Sequence, residues 1–222
     1  MVTPPFRKEP AIAPPLLIVV GLAREAAIAA PYGRVAIGAA GLARVLAEGA
    51  PAGIVSFGLC GALAPGLKVG DVMVAEAVVC GNDRWATDAA WTARLRVALP
   101  GAVSGAMTAG DVIVGTPAAK AALARATGAV AVDMESHAVA MAAQAAGAPF
   151  AVVRVVSDDA GRVLPKSAQA GFKADGEPDI VAVIAALARR PWEAPALIRV
   201  GMEAEAAFRA LAVAARLLAA GG

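Results

Sequence analysis

The sequence predicts a single α/β domain with helices packed on the faces of a central sheet. Short apolar runs typical of buried strands alternate with segments of helical length, and glycines or capping residues separate the two. The length agrees with this, because 222 residues suffice for one compact domain with a sizeable core and little more. We find no internal repeat and no domain linker in the chain.

Strands are predicted where apolar residues run together and then stop at a glycine or a polar residue. The first run ends at Gly21, and the last continues into the polar stretch that begins at Ser157. In chain order the predicted strands are Leu16–Val20, Gly53–Leu59, Asp71–Val79, Val103–Thr108, Ala129–Val132 and a final strand that opens at Ala151.

Helices are predicted between these strands, and two of them have clear end signals: Thr116 can cap one, and Gly147 ends another. In chain order the predicted helices are Ala39–Glu48, Ala89–Leu99, Pro117–Ala126, Met134–Ala146, Asp179–Arg190 and Pro195 to about Ala219. The proline-rich residues 1–15 are predicted to be a flexible N-terminal segment, so the domain covers residues 16–222. The segment Gly161–Pro178 is long and polar for a loop and is predicted to act as a lid.

Composition limits the partners. The net charge of +2 comes from interspersed residues with no basic block, so no nucleic-acid partner is expected. Apolar residues make up 59% of the chain, but the longest uncharged window, residues 49–67, contains two prolines and five glycines and predicts a strand and a turn, not a membrane span. No signal peptide is visible, so a cytoplasmic protein is expected, and contact with a membrane surface stays open.

No metal site is predicted. Cys60 and Cys80 lack the spacing of metal ligands, and His137 is the only histidine of the chain. Both cysteines are expected to be reduced and largely buried.

Polar or glycine-rich segments follow several of the predicted strands. They are Gly21–Glu25, Gly58–Gly61, Thr108–Asp111 and Ser157–Asp159. Ligands of open α/β sheets bind beyond the carboxyl ends of the strands, so this convergence predicts a ligand site.

Acidic residues at these ends are candidates for chemistry. In "AVVRVVSDDAG" a buried strand runs into Asp158 and Asp159, where a charged carboxylate is costly to keep. Strand alternation puts the two on opposite faces, which favours Asp158 as functional and Asp159 as structural or solvated. In "AVDMESHAVA", Asp133 and Glu135 stand at a predicted helix start, where carboxylates also serve as caps. Capping is favoured for Asp133 and less so for Glu135.

The ordered segments "GLCGALAPGLKVGD", "AGDVIVG", "VDMES" and "VVRVVSDDA" together resemble the purine and uridine phosphorylase superfamily, which includes the methylthioadenosine/S-adenosylhomocysteine nucleosidases. The resemblance covers about Leu16 to Ala160. The tail, with "LPKSAQAGFKADGEPD" and "RRPWEAPALIRVGMEAEAAFRAL", is similar to a narrower branch, the hopanoid-associated phosphorylases. The resemblance implies a three-layer αβα domain with a central mixed, twisted sheet, no cofactor, and a homo-oligomer, with a dimer favoured.

The resemblance also implies roles for individual residues. It places the catalytic acid on Asp158, ribose binding on Met134 and Glu135, and a water-activating glutamate on Glu25, whose register is one residue off. It places the main-chain segment that contacts base and sugar on Gly58, Cys60 and Gly61, and the wall of the base pocket on Val112 and Ile113. Asp133 and Ser157, which lie next to these positions in the family motifs, are also expected to bind substrate.

These residue types suit the chemistry that the resemblance implies. When a purine–ribose bond breaks, the leaving base must gain a proton, and a carboxylic acid can supply it to N7 if burial raises its pKa. This role is expected of Asp158, and Glu135 is expected to hold ribose hydroxyls and offset positive charge on the sugar.

The second substrate stays open between phosphate and water. At the two positions where phosphorylases of the family have an arginine and a serine, this chain has Ser56 and Leu59. Arg24 is the only nearby cationic replacement for phosphate binding, and Arg154 is interpreted as a brace for the strand or a carboxylate.

The expected function is release of adenine from an adenine nucleoside, and for the hopanoid branch the implied substrate is adenosylhopane. The alternatives are a methylthioadenosine/S-adenosylhomocysteine or futalosine-type nucleosidase, and a binding module that has lost the chemistry. Asp158 and Glu135 together argue against the last, because a binder needs no acid at N7.

The C-terminal helix carries an apolar stripe, which packs on the sheet or, together with Leu164 and Phe172 of the lid, borders a channel for a lipid group. The stripe consists of Leu197, Val200, Ala204, Phe208, Leu211 and Ala215.

Overall fold

The computed structural model describes residues 16–171 and 179–220. The strands are β1 Leu16–Val20, β2 Arg34–Ile37, β3 Gly53–Ala62, β4 Val72–Cys80, β5 Asp83–Ala86, β6 Val103–Ala109, β7 Ala131–Asp133 and β8 Phe150–Asp158. The helices are α1 Ala23–Ala29, α2 Gly38–Ala47, α3 Ala89–Ala98, α4 Pro117–Thr127, α5 Ser136–Ala146, α6 Lys166–Gln169, α7 Ile180–Arg189 and α8 Ala194–Ala220. Residues 1–15, predicted to be flexible, and Phe172 lie outside the described part of the chain.

The central sheet is mixed and contains all eight strands. Its order is β2-β1-β3-β7-β6-β4-β5, and β8 pairs in parallel with β3 and antiparallel with β4. Because β8 bridges these two strands, the path β3-β7-β6-β4-β8 returns to β3, so the middle of the sheet closes on itself. The predicted α/β domain with a central mixed sheet is therefore confirmed, and the closure through β8 is a feature that the sequence did not predict.

Two apolar cores lie on the two faces of the sheet. One contains Leu42 of α2 and Val139 of α5, and the other contains Leu95 of α3 and Leu211 of α8. Both cores draw on alternate residues of the central strands, and β8 is buried from Phe150 to Val156. Burial on both faces explains the unbroken valine runs from which these strands were predicted.

The apolar stripe of α8 behaves differently in its two halves. Phe208, Leu211 and Ala215 are buried in the core, as the alternative of simple packing on the sheet predicted. Leu197, Val200 and Ala204 are only half-buried. None of the helices in residues 16–171 and 179–220 combines the length and the apolar character needed to cross a bilayer.

The strand pairings bring the predicted site segments together. Gly61 of β3 pairs with Asp158 of β8 after a register shift at Cys60 and Gly61. The short β7 runs antiparallel to this end of β3, with Gly61 opposite Val132. The chain therefore runs back along β3, and it brings Asp133 at the end of β7 and Glu135 just after it towards Gly58 and Arg154.

Candidate active site

A fully buried arginine, Arg154 of β8, lies at the centre of the site. Its guanidinium contacts Asp133 Oδ2 at 2.8 Å and Glu135 Oε2 at 3.5 Å, and it donates a hydrogen bond of 2.6 Å to Ser56 Oγ. Burial opposes its charged form, but Asp133, Glu135 and Glu25 outweigh burial and raise the pKa of Arg154. Arg154 is thus a permanent cation that binds several carboxylates, in agreement with its interpretation as a brace.

Asp133 anchors this arginine from the other side. Its carboxylate accepts hydrogen bonds from the backbone N–H and the hydroxyl of Ser136, at the start of α5. The hydroxyls of Ser136 and Ser56 lie 3.0 Å apart and link the group to β3. Asp133 therefore has the helix-start contact expected of a cap and also an ion pair, and its partners are protein groups.

Glu25 lies in the first turn of α1 and is only 2% exposed. Its Oε2 accepts hydrogen bonds from the backbone N–H groups of Gly21 and Leu22 at 2.8 and 2.9 Å, and its Oε1 accepts one from Leu59 at 2.8 Å. Burial raises the pKa of Glu25 in spite of Arg154 and these donors. Because a carboxylate has roughly four acceptor positions, Glu25 keeps one for a further proton donor.

Glu135 is the most accessible acid of the group, with a side chain 29% exposed. Burial raises its pKa to about 7, Arg154 opposes the shift, and Asp133 and Glu25 add to it. It therefore exchanges its proton near neutral pH. Met134, its neighbour, is half-buried.

Asp158 lies at the end of β8 and is buried, as a strand-end acid was expected to be. Its Oδ1 accepts a hydrogen bond of 2.9 Å from Ser157, whose hydroxyl also reaches the carbonyl oxygen of Cys60 at 3.1 Å. Its Oδ2 accepts a hydrogen bond from the ammonium of Lys120, a residue of α4 that is 1% exposed. This lysine was not predicted from the sequence.

Three glycines make room for these carboxylates. A methyl group on Gly58 would come within 2.5 Å of Glu25 Oε1 and 2.6 Å of Arg154 Nη1, and one on Gly21 within 2.5 Å of Glu135 Oε1. One on Gly61 would lie 3.2 Å from Asp158 Oδ2. The backbone ends of β1 and β3 therefore pack directly against the acids, as expected of glycines that leave a backbone open.

Other predicted residues lie further from these contacts. Arg24 pairs with Glu205 of α8 at 2.7 Å and stacks on the ring of Phe208 at 4.2 Å, so its charge is used at the α1–α8 contact. Val112 is 77% exposed and Ile113 is half-buried in the segment after β6. Asp159 accepts a hydrogen bond from the backbone of Gly161 at 2.9 Å, which is a turn contact.

Of the two cysteines, both of them free, Cys60 is buried as expected, whereas Cys80 is only half-buried. The thiol of Cys60 is buried, and burial raises its pKa, so it stays protonated. Within residues 16–171 and 179–220, no cluster of histidine, cysteine and acidic residues has the arrangement of a metal site.

Three contacts were not predicted from the sequence: those of Arg154 with Ser56 and Ser136, and that of Asp158 with Lys120. Ser56 was considered only as a replacement for a phosphate ligand. Lys120 follows a threonine cap and a proline in an alanine-rich helix, where a lysine normally faces solvent, so no local signal indicates its burial.

Comparison with known proteins identifies the family of the chain. The family model of the phosphorylase superfamily matches residues 17–190, and the chain belongs to this superfamily. The predicted class of enzyme, a nucleoside phosphorylase or nucleosidase that acts without a cofactor, agrees with this membership. No curated protein sequence matches the chain.

Solved structures with a similar fold include nucleosidases. The Helicobacter pylori 5′-methylthioadenosine/S-adenosylhomocysteine nucleosidase has a TM-score of 0.66 at 17% identity, covering 93% of this chain and 96% of that one. The Neisseria meningitidis enzyme, in complex with methylthio-immucillin-A, gives 0.62 at 19%, covering 90% and 96%. The S-adenosylhomocysteine nucleosidase of Streptococcus pyogenes gives 0.60 at 21%, covering 66% and 84%.

Proposed function

We propose that this chain hydrolyses the N-glycosidic bond of an adenine nucleoside and releases adenine. The observation that carries the proposal is the position of Glu25. It is a buried carboxylate beside Arg154, and its pKa is raised. It can also accept a hydrogen bond from one more donor. A group with these properties suits a general base that removes a proton from water, because such a base works best when its pKa approaches the ambient pH.

Water is favoured over phosphate by the charge of the site. Glu25, Glu135 and Asp133 surround a single guanidinium, which already binds Asp133 and Ser56. A phosphate dianion at this place would lie beside these carboxylates. Among the described residues that contact them, no cation is free to bind it. Arg24, the one candidate replacement, is engaged with Glu205 on α8. Ser56 and Leu59 also lack the charge of the arginine that the phosphorylases have.

The same charge assists bond cleavage. As the glycosidic bond lengthens, positive charge develops on the sugar, and the excess of carboxylates stabilises it. Glu135 accepts hydrogen bonds from the ribose hydroxyls, and Asp158 passes a proton to N7 of the leaving base. Glu25 removes one proton from the attacking water, and the oxygen of that water bonds to the anomeric carbon. The products are neutral adenine and the free sugar.

The acceptor is identified by a product analysis in ¹⁸O-labelled water. Adenosine and 5′-methylthioadenosine are incubated with the protein, with and without inorganic phosphate. We expect adenine release without phosphate and one ¹⁸O in the sugar, and Glu25→Gln should lower the rate by about 10²-fold or more. A sugar 1-phosphate formed only in the presence of phosphate would contradict hydrolysis. Stoichiometric binding without adenine release would favour the inactive binding module.

The 5′ substituent of the substrate is large and apolar in this proposal, as in adenosylhopane. Support comes from consecutive segments of the chain that expose large apolar side chains: Val181 and Ile184 on α7, Trp192 after it, and Ile198 and Met202 on α8. Arg189 and Arg199 are exposed on the same two helices. Exposed apolar residues mixed with arginines are typical of surfaces that meet lipid. The half-buried Leu197 and Val200 lie on the same part of α8.

A matched pair of variants tests this choice of substrate. Trp192 is 73% exposed, and Val97 of α3 is 76% exposed on another helix. We expect Trp192→Ser to raise KM for adenosylhopane presented in neutral vesicles while barely changing turnover of 5′-methylthioadenosine, and Val97→Ser to change neither. Equal effects of Trp192→Ser on both substrates, or no turnover of adenosylhopane by the wild type, would favour a nucleosidase for small nucleosides or futalosine.

A further inference from the structure

We propose that Lys120 is a positioning residue for Asp158 and keeps a transferable proton within one hydrogen bond of that acid. The inference rests on the proposed cleavage of the glycosidic bond, in which Asp158 protonates the leaving base. It changes the expected origin of that proton: it comes from an ammonium–carboxylate pair and not from an isolated buried carboxylic acid.

The fold buries Lys120 and directs it at Asp158. Thr116 caps α4 by accepting a hydrogen bond of 3.2 Å from the backbone of Ala119, and Pro117 occupies the first turn. Lys120 follows on this turn, and its side chain is 1% exposed. Its ammonium donates to Asp158 Oδ2 and to the carbonyl oxygen of Asp159, the latter at 2.6 Å.

The orientation of Asp158 is fixed from both sides. Lys120 holds Oδ2 and the Ser157 hydroxyl holds Oδ1, while Gly61 of the paired strand leaves the approach to both oxygens free of a side chain. An acid that protonates one ring nitrogen needs such a fixed direction, because proton transfer depends on the position of the donor oxygen.

Among the ionisable groups near Lys120, Asp158 is the carboxylate that pairs with it. From β3 it faces the thiol of Cys60, which is neutral because burial raises its pKa. From the segment after β8 it faces the main chain of Asp159, whose carboxylate turns to the backbone of Gly161 and to Arg162. Arg162 is itself bound to Glu203. Lys120 and Asp158 therefore form a pair with no net charge and one proton available between them.

The proton balance of the step follows from this pair. As the base leaves, an N–H bond of Lys120 breaks and an O–H bond forms on Asp158, while the Asp158 proton passes to N7 of adenine. The pair is left as a neutral amine and a carboxylate. The proton that Glu25 removed from water restores it through solvent, so the reaction consumes one water and leaves the enzyme unchanged.

In general an ammonium keeps its proton at a pH where a carboxylic acid has lost it. The test is therefore the pH dependence of kcat/KM for wild type, Lys120→Met and Lys120→Arg, measured by adenine release from pH 5 to 10. Methionine keeps the apolar stem without a proton, and arginine keeps the charge but does not release a proton.

We expect Lys120→Met to lose about 10²-fold at pH 8 and less than about tenfold at pH 5, because Asp158 must then carry its own proton. The alkaline limb of its pH profile should lie at a lower pH than that of the wild type. Lys120→Arg should bind substrate normally and lose about 10²-fold in kcat. A thermal melt identifies a variant that does not fold. If Lys120→Met does not fold, the kcat of Lys120→Arg alone tests the inference.

The inference is overturned if a folded Lys120→Met shows the wild-type profile merely scaled down, or if Lys120→Arg keeps wild-type kcat. Either result would show that Lys120 supports the structure or supplies only charge. Absence of adenine release by the wild type at every pH would overturn the proposed function together with this inference. If the wild type releases adenine and the Lys120 variants keep its activity and pH profile, the inference alone is overturned.

Discussion

At the scale of single residues, the site is built from acids whose charge the protein only partly compensates. Arg154 contacts Asp133 and Glu135 and lies beside Glu25. Burial raises the pKa values of both glutamates although Arg154 opposes the shift, and Asp133 and Glu25 add to the rise at Glu135. A region poor in cations suits a reaction that develops a positive sugar. The carboxylates were predictable from the polar segments that follow strands, and Arg154 was interpreted as a brace. The contacts made by Ser56, Ser136 and Lys120 could not be predicted, because they depend on packing across the sheet.

Because of Glu135, the activity and the stability of the protein should depend on pH in opposite directions. Its pKa is raised from 4.5 to about 7 in the folded protein, mainly by burial. Between these values the folded state keeps a proton that the unfolded chain has released, so the free energy of unfolding falls as pH rises. Ribose binding needs the ionised form, so kcat/KM should rise through pH of about 7. Glu135→Gln should weaken both trends.

The measurements are urea unfolding and adenine release, each from pH 5 to 8. Glu25 adds to the same trends because its pKa is also raised, so the comparison of Glu135→Gln with wild type isolates Glu135. The variant should also be less sensitive than wild type to removal of the 2′- or 3′-hydroxyl of the substrate. Identical pH trends and identical penalties in both proteins would exclude Glu135 from ribose binding.

Asp158 and Asp159 provide a matched pair for the acid at the strand end. Asp158→Asn should lower adenine release by about 10²-fold or more, since an amide cannot supply the proton. It should also lower the melting temperature, because the buried ammonium of Lys120 loses its partner charge. Asp159→Asn should have a much milder effect, because its carboxylate contacts the turn at Gly161 and Arg162. A reversed order of the two effects would assign the acid to Asp159.

At the scale of elements, the strands and helices with clear end signals were predicted to within a few residues. The edge strands β2 and β5 were not, because each has only four residues, of which at least two are exposed. The helix α1 was also missed, since Leu22 precedes it where a polar cap would normally stand. This helix carries Glu25, so the least predictable element holds the proposed base.

The end of β3 gives a prediction about backbone space. Gly58→Ala would bring a methyl group within 2.5 Å of Glu25 and 2.6 Å of Arg154, neither of which can move without losing buried hydrogen bonds. We expect lower stability and a large loss of adenine release. Gly201→Ala on α8 is the control, because nothing lies within 4 Å and alanine favours a helix. A Gly58→Ala protein with normal stability and activity would contradict the packing of β3 against the acids.

At the scale of the whole molecule, the base-pocket wall implied by the family resemblance is open in a single chain. Val112 is assigned to that wall, yet it is 77% exposed. Large apolar side chains on a functional surface are commonly covered by a substrate or a second protein. The homo-oligomer implied by the resemblance would provide such a cover, and it stays a prediction.

We predict a dimer in which a second copy covers Val112. Light scattering at micromolar concentration should then give about twice the chain mass of 21.9 kDa. Val112→Asp should weaken the dimer and raise KM together, because a charge buried at an interface is unfavourable. Val97→Asp, at a valine of nearly equal exposure (76%) on α3, is the control and should change neither quantity. A mass of one chain would end the dimer prediction. A dimer that survives Val112→Asp with a raised KM would leave the substrate as the only cover of this wall.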